Sequence, residues 1–287
     1  MILEILPSSL YGLPNIEVIL RSNASSIIFK SLSESLVDKK MYLSCAAILL
    51  VMKGEQIIQG HEQTDLLVKE NEMVILPKDL YVVSDFVTKQ DNFEAFIFFI
   101  DDQLIKKFTL INSIKQNEHN VKNNVLKTNI SHQIAQFTQS LSDVYRNTSD
   151  NNALLEIKVL EFLLLLELEE HSQLLISALI NPIKKRNISE FMEKNYLSNL
   201  KISDYAALTG RSISTFNRDF KRFFGTTPKK WLITKRLSKS HELLNNTELN
   251  VTQVAMEVGY ENVSHFIDAY KKAYGITPKS TLINTKN

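Results

Sequence analysis

Ile202-Ser203-Asp204-Tyr205-Ala206 and Val251-Thr252-Gln253-Val254-Ala255 open two copies of one pattern. The first copy continues through Gly210, Phe216, Phe220, Gly225 and Thr227-Pro228. The second continues through Gly259, Phe266, Tyr270, Gly275 and Thr277-Pro278. The offset is 49 residues up to the first glycine and 50 after it. The added residue falls where Gly259-Tyr260-Glu261-Asn262 replaces Gly210-Arg211-Ser212. An insertion confined to a turn is what two copies of one supersecondary unit show.

Each copy reads as helix, glycine turn, helix. Ser203 and Thr252 are expected to cap the first helices, and Ser212 and Asn262 the second. Gly210 and Gly259 allow a turn with positive φ. Gly225 and Gly275 suit a helix end, and Pro228 and Pro278 the first turn of a third helix. Two short helices around such a turn form a helix-turn-helix, whose second helix enters the major groove of DNA.

In the first such helix, Ser212–Phe224, the residues Phe216, Phe220 and Phe223 share a face expected to pack inward. Ser214, Asn217, Arg218 and Lys221 share the opposite face, which is free to enter a groove. Asn pairs bidentately with adenine and Arg with guanine, each good pair being worth ~1–3 kcal/mol of discrimination. Thr215 joins this set, while Lys221, Arg222, Lys229 and Lys230 are placed to meet phosphates. In the second helix, Asn262–Tyr274, the exposed face is expected to carry Ser264, Ile267, Asp268 and Lys271. Asp268 stands where the first copy has Arg218, and an acid there repels phosphates. Ser264 and His265 then become the base readers, and the second copy is expected to read fewer bases than the first. A connecting helix from Pro228 to about Leu244 spans about 25 Å. With the helix widths added, it spaces the two probes near 34 Å, one duplex turn. The expected target is an asymmetric site of roughly 17–20 base pairs per subunit.

The stretch from Pro182 to Leu282 resembles the double helix-turn-helix domain of the AraC/XylS family of transcription regulators. The second copy carries the resemblance most closely, from Gly259-Tyr260-Glu261-Asn262-Val263-Ser264-His265-Phe266 through Tyr274-Gly275-Ile276-Thr277-Pro278. A DNA-binding activator that recruits RNA polymerase beside its promoter site is what the resemblance implies.

Charge agrees with that division. Residues 182–287 hold 18 Lys+Arg against 9 Asp+Glu, and the remainder 15 against 23. A basic C-terminal third joined to an acidic remainder places the polyanion partner on the last third. The expected domains are 1–175, a sensor and dimerisation domain with a helical tail, and 176–287, the DNA-binding domain. The two helix-turn-helix units fall at about 200–224 and 249–274.

The first hundred residues read as β, with short runs at Ile27–Phe29, Ala46–Met52, Gln56–Gln59, Leu66–Val68, Met73–Leu76, Tyr81–Val87 and Phe93–Ile100. Turn signals such as Lys53-Gly54-Glu55 and Pro77-Lys78-Asp79 separate them. Close spacing without long helices argues for an antiparallel sandwich or barrel. The spacing of Leu49–Gly54 and Glu72–Pro77 is similar to the cupin-like sensor barrel found in many AraC relatives. The fold class is therefore α+β, an N-terminal cupin-like β-barrel with flanking helices followed by an all-α double helix-turn-helix domain.

Helical spacing returns at Asp102–Asn112, Ser131–Tyr145 and Ala153–His171. The last of these is apolar on most of its circumference and must be covered on most sides. Packing on the barrel accounts for one side. The family resemblance implies a homodimer through a second stripe of the 153–171 helix. Ser113–Asn129 is polar and reads as a loop. Pro182–Tyr196 opens a basic helix whose inward side is Ile183, Ile188, Phe191 and Met192.

No catalytic constellation, phosphate loop or metal cluster stands out, so neither an enzyme nor a cofactor is expected. His61-Glu62 is the only His/Glu neighbour pair in the barrel, too few ligands for a metal. His119, His132, His171 and His241 are scattered. Cys45 is the single cysteine, which excludes an internal disulfide and fits a cytoplasmic protein with a buried thiol. No signal peptide is expected, because the N-terminus carries Glu4 and no basic segment. The most apolar window, Phe162–Leu168, is too short to span a bilayer.

The wording of the second copy and the Asn/Lys-rich chain also look like the virulence-regulator branch typified by ToxT and Rns. That branch implies a fatty-acid-like effector with basic residues on its carboxylate. Arg21, Lys30, Lys39 and Lys40 are nominated as anchors, with Lys229 or Lys230 from the other domain. An arabinose-type sugar sensor is the alternative, disfavoured because Trp231, the one tryptophan, lies outside the barrel. A cupin enzyme with a basic accessory module is a further alternative.

Overall fold

The computed structural model describes residues 4–22, 25–60, 65–87, 92–111, 126–145, 151–180 and 185–285. These form two compact units, residues 4–180 and residues 185–285.

The first unit begins with β1 (Glu4–Leu6), β2 (Ile16–Arg21), β3 (Ser26–Leu32), β4 (Leu36–Leu43) and β5 (Ala46–Lys53). It continues with β6 (Glu55–Gly60), β7 (Leu66–Lys69), β8 (Glu72–Leu76), β9 (Leu80–Phe86) and β10 (Phe93–Ile100). After these come α1 (Asp102–Ile111), β11 (Leu126–Asn129), α2 (His132–Tyr145), α3 (Asn152–Glu167) and α4 (Ser172–Ile180). One sheet has the order β1-β4-β9-β6-β7 and the other β11-β8-β5-β10-β3-β2. Among the described residues the end strands of the two sheets do not pair, so the expected cupin-like barrel is two open sheets packed face to face, the sandwich that the strand spacing also allows. One pair, β1 with β4, is parallel rather than antiparallel.

The six-stranded sheet is the middle layer, buried on both faces. Ala47, Leu49 and Val51 of β5, with Ala95, Ile97 and Phe99 of β10, face the smaller sheet. Ile48 and Leu50, with Phe96, Phe98 and Ile100, face the helices. Two-sided burial explains why these strands read as unbroken apolar runs instead of alternating. Phe162 of α3 stacks on Phe98 with ring centroids 4.0 Å apart.

Helix α3 is shorter than the expected 153–171. It ends at Glu167, the chain turns through His171 at φ 62°, and α4 starts afresh. Leu155, Val159, Phe162, Leu163 and Leu166 are buried, whereas Ile157, Leu164 and Leu168 are exposed. The end of the stretch expected to be a loop forms β11, paired with β8. Leu126 covers the helix-side core there, and Lys127 reaches Glu72 at 2.9 Å. Strands β1, β2 and β4 escape the sequence reading because their apolar residues are diluted by Glu4, Glu17, Asp38, Lys39 and Lys40. Cys45 is buried, and burial pushes its thiol up to about 12, so it is inert packing.

The second unit is all helical: α5 (Ile188–Asn195), α6 (Ile202–Leu208), α7 (Ile213–Phe224), α8 (Pro228–Asn246), α9 (Val251–Glu257), α10 (Val263–Tyr274) and α11 (Pro278–Thr285). Helix α5 starts later than the basic run suggests. Asn187 caps it by accepting from the amides of Ser189 and Glu190, leaving Lys185 and Arg186 outside; Pro182, Ile183 and Lys184 lie beyond the described residues. No helix among the described residues is long and apolar enough to cross a membrane.

Candidate nucleic-acid interface

Both probe helices are built as their sequence dictates. The Ser212 hydroxyl accepts the Thr215 amide at 3.3 Å, and Asn262 Oδ1 accepts the His265 amide at 3.1 Å. Gly225 and Gly275 end the helices at φ 67° and 75°. The caps of the preceding helices fall elsewhere than expected. Helices α6 and α9 start one residue ahead of Ser203 and Thr252, so Lys201 and Asn250 take the cap positions. Asn250 caps with its side chain; at Lys201 it is the Asp204 carboxylate that accepts the Lys201 amide, at 2.9 Å.

Phe216 and Phe220 of α7 are fully buried. Phe223 is not: it is 58 % exposed, and Phe224 takes the inward place, stacked on Phe220 at 4.4 Å and tilted against Trp231 at 5.0 Å. Trp231 arrives from the next helix on the Phe220–Phe224 side, which a wheel drawn for α7 alone does not reveal. Ser214, Asn217, Arg218, Lys221 and Arg222 are exposed, on the side away from the buried phenylalanines. Thr215 is half-buried, and its hydroxyl accepts from Ser212 at 2.9 Å, drawing it into the cap.

In α10, Phe266 and Tyr270 are fully buried, and Ser264, His265, Asp268 and Lys271 are exposed. Ile267, expected on the exposed strip, is half-buried against the second core. The second probe thus offers a narrower polar strip with an acid at its centre.

Two arginines that sequence reasoning missed hold the probes in place. Arg211 sits in the first turn. It donates to the carbonyls of Arg186 at 2.9 Å and Thr209 at 2.6 Å and to Asp219 at 3.2 Å. That hydrogen bond, the largest influence, holds the Asp219 carboxyl below the usual carboxylate range. Arg236 of α8 donates to the carbonyls of Tyr196 at 2.8 Å, Gly259 at 3.0 Å and Ser198. It pins the second turn to the loop after α5. Only the coincidence of a cation with a sharp turn could have hinted at Arg211, and no local pattern hints at Arg236.

Of the nominated effector anchors, Lys30 and Lys39 line a cavity of about 380 Å³ between the two sheets of the first unit. Lys30 is buried and already paired with Asp85 at 2.6 Å, and Lys39 is exposed at the margin. Arg21 lies over the Tyr11 ring and Lys40 is exposed, and neither lines the cavity. Lys229 and Lys230 are exposed in the first turn of α8, in the other unit. His61 and Glu62 lie outside the described residues, as does His119. Among the described residues no group of three metal-ligating side chains forms.

A helix-turn-helix domain family matches residues 205–283, and a family described as the ExsA N-terminal regulatory domain matches residues 46–178. The virulence regulon transcriptional activator VirF of Yersinia enterocolitica is 31% identical over 152 residues, 52% of this chain and 56% of that protein. The HTH-type transcriptional regulator ExsA of Pseudomonas aeruginosa is 32% identical over 125 residues, 42% of this chain and 45% of that protein. The chain spans about half the length of the curated relatives it matches. A structure of apo ToxT from Vibrio cholerae aligns over 92% of this chain and 98% of that one, at 16% identity and a TM-score of 0.47.

Proposed function

The chain belongs to the AraC/XylS family of transcription regulators, and on that premise we propose that residues 185–285 bind promoter DNA in two successive major grooves. The observation that carries this reading is the exposed row Ser214, Asn217, Arg218 and Lys221 on a capped helix set against a glycine turn. Asn217 and Arg218 read base edges; Lys221, Arg222, Lys229 and Lys230 meet phosphates. Through α10 the chain reads fewer bases, with Ser264 and His265 ahead of Asp268, and Lys271 on the backbone. The protein acts in the cytoplasm as an activator beside RNA polymerase, of the kind its virulence-regulator relatives represent.

Residues 4–180 form the sensing and pairing part of this reading. The exposed Ile157 and Leu164 of α3, with Leu168 at its C-cap, leave an apolar stripe on this helix, and a second copy of α3 covers it in a homodimer. The effector is a small apolar molecule in the cavity between the sheets, for which a fatty acid is one candidate.

Selection of DNA from a random pool by the full chain tests the reading. The expected product is an asymmetric site of roughly 17–20 base pairs. On that site Arg218→Ala weakens binding by about 1–3 kcal/mol and relaxes the preference at one base. His265→Ala costs less. An equal or larger loss from His265→Ala overturns the assigned division between the two probes, and selection of no common sequence overturns the reading as a whole.

A further inference from the structure

The cavity between the sheets has a polar corner built from three strands. Asp85 of β9 and Gln56 of β6 are cross-strand neighbours on the smaller sheet, and each is 2 % exposed. Lys30 reaches across from β3 of the facing sheet, its Nζ 2.6 Å from Asp85 Oδ2. Gln56 Nε2 donates to Asp85 Oδ1. Both carboxylate oxygens are thereby engaged, and the orientation of the Gln56 amide is fixed by its donor end. Its Oε1 is left buried, with no donor among the described residues. A buried acceptor in that condition is costly and calls for a partner.

All three residues line the cavity, whose other walls are largely Leu6, Leu10, Leu49, Ile97 and Phe99. The charges of the corner already cancel. An incoming carboxylate would have to draw Lys30 from Asp85 and leave two anions facing each other. An incoming ammonium would meet Lys30. What the corner lacks is one neutral donor.

We propose that the Lys30–Asp85–Gln56 corner makes this cavity a site for an apolar molecule with a neutral hydrogen-bond-donating head, an alcohol or amide, which donates to Gln56 Oε1. At about 30 Å³ per small group, the 380 Å³ hold roughly a dozen heavy atoms. The inference rests on the effector reading above in one respect, that the first unit takes a small molecule. It replaces the carboxylate head that Lys30 and Lys39 would suggest on charge alone.

The test is titration calorimetry of the full chain with 1-decanol, decanoate and methyl decanoate, each below its aggregation limit, followed by DNA affinity with and without decanol. Decanol is expected to bind at least tenfold more tightly than either of the others. Gln56→Met is expected to abolish that preference, and Leu49→Phe, which fills the cavity, to abolish binding of all three. Decanoate binding as tightly as decanol overturns the neutral-donor assignment while leaving the effector reading intact. Binding of none of the three overturns the cavity as a site. Tight decanol binding without change in DNA affinity supports the site and overturns the effector reading instead. The wild-type comparison stands even where Gln56→Met fails to fold.

Discussion

Asp85→Ala is expected to destabilise the first unit by about 3–5 kcal/mol, because it leaves the Lys30 ammonium buried with no counter-charge. Lys30 and Asp85 side chains are 9% and 2% exposed, so water does not replace the lost partner. The same change also orphans Gln56 Nε2. Buried ion pairs differ from surface ones in this asymmetry: removing one member costs far more than removing both. The paired replacement Lys30→Met with Asp85→Leu is therefore expected to regain more than half of the loss. Urea unfolding of the full chain measures both. A loss below about 1 kcal/mol for Asp85→Ala, the level of an exposed pair, would sink the argument that the two sheets are joined through this contact.

The second large effect is expected at Gly259. Its backbone sits at φ 81°, and a Cβ there would stand 2.4 Å from the Leu197 carbonyl oxygen and 3.2 Å from the Arg236 guanidinium carbon. The left-handed conformation alone costs a non-glycine residue about 1–2 kcal/mol. The collision is with backbone, which cannot swing aside, and relieving it pulls the turn off Arg236. Gly259→Ala is thus expected to cost more than about 3 kcal/mol in the helical unit, among the larger single-residue effects. Gly275 is the control. It has a similar φ of 75° but nothing within 4 Å of the added atom, so Gly275→Ala is expected to show the strain alone, about 1–2 kcal/mol. Equal losses at the two positions, measured by thermal unfolding, would falsify the docking of the second turn on the α5–α6 loop.

The helical unit was the most legible part of the chain, for a physical reason. Glycine turns, Ser and Asn caps and Thr-Pro starts are local chemistry, and the repeat states each of them twice. Ser212, Asn262, Gly225 and Gly275 accordingly do what their types require. Where the reading slipped, the deciding partner came from elsewhere in the chain. Phe223 gave way to Phe224 because Trp231 arrives on that side. Ile267 turned toward the second core. The seven apolar strand runs were legible because each puts at least one apolar side chain into a core, whereas β1, β2 and β4 carry charges and take their place through pairing. Whether the sheets close was not legible, since close strand spacing serves a sandwich and a barrel alike and the pairing of edges is set by tertiary packing. Of the lysines nominated for an effector, Lys30 does reach the cavity, but a sequence cannot show that Asp85 already holds it.

Helix α8 supplies Trp231 at one end to the first core and Leu237 and Leu244 further along to the second. Its length consequently sets the phase between the two probes. Each residue added to a helix rotates whatever follows by about 100° and advances it 1.5 Å. One extra residue in α8 would therefore swing the second probe a quarter-turn off the duplex. One extra residue in a glycine turn only lengthens a bend, and it is there that the two copies differ by one.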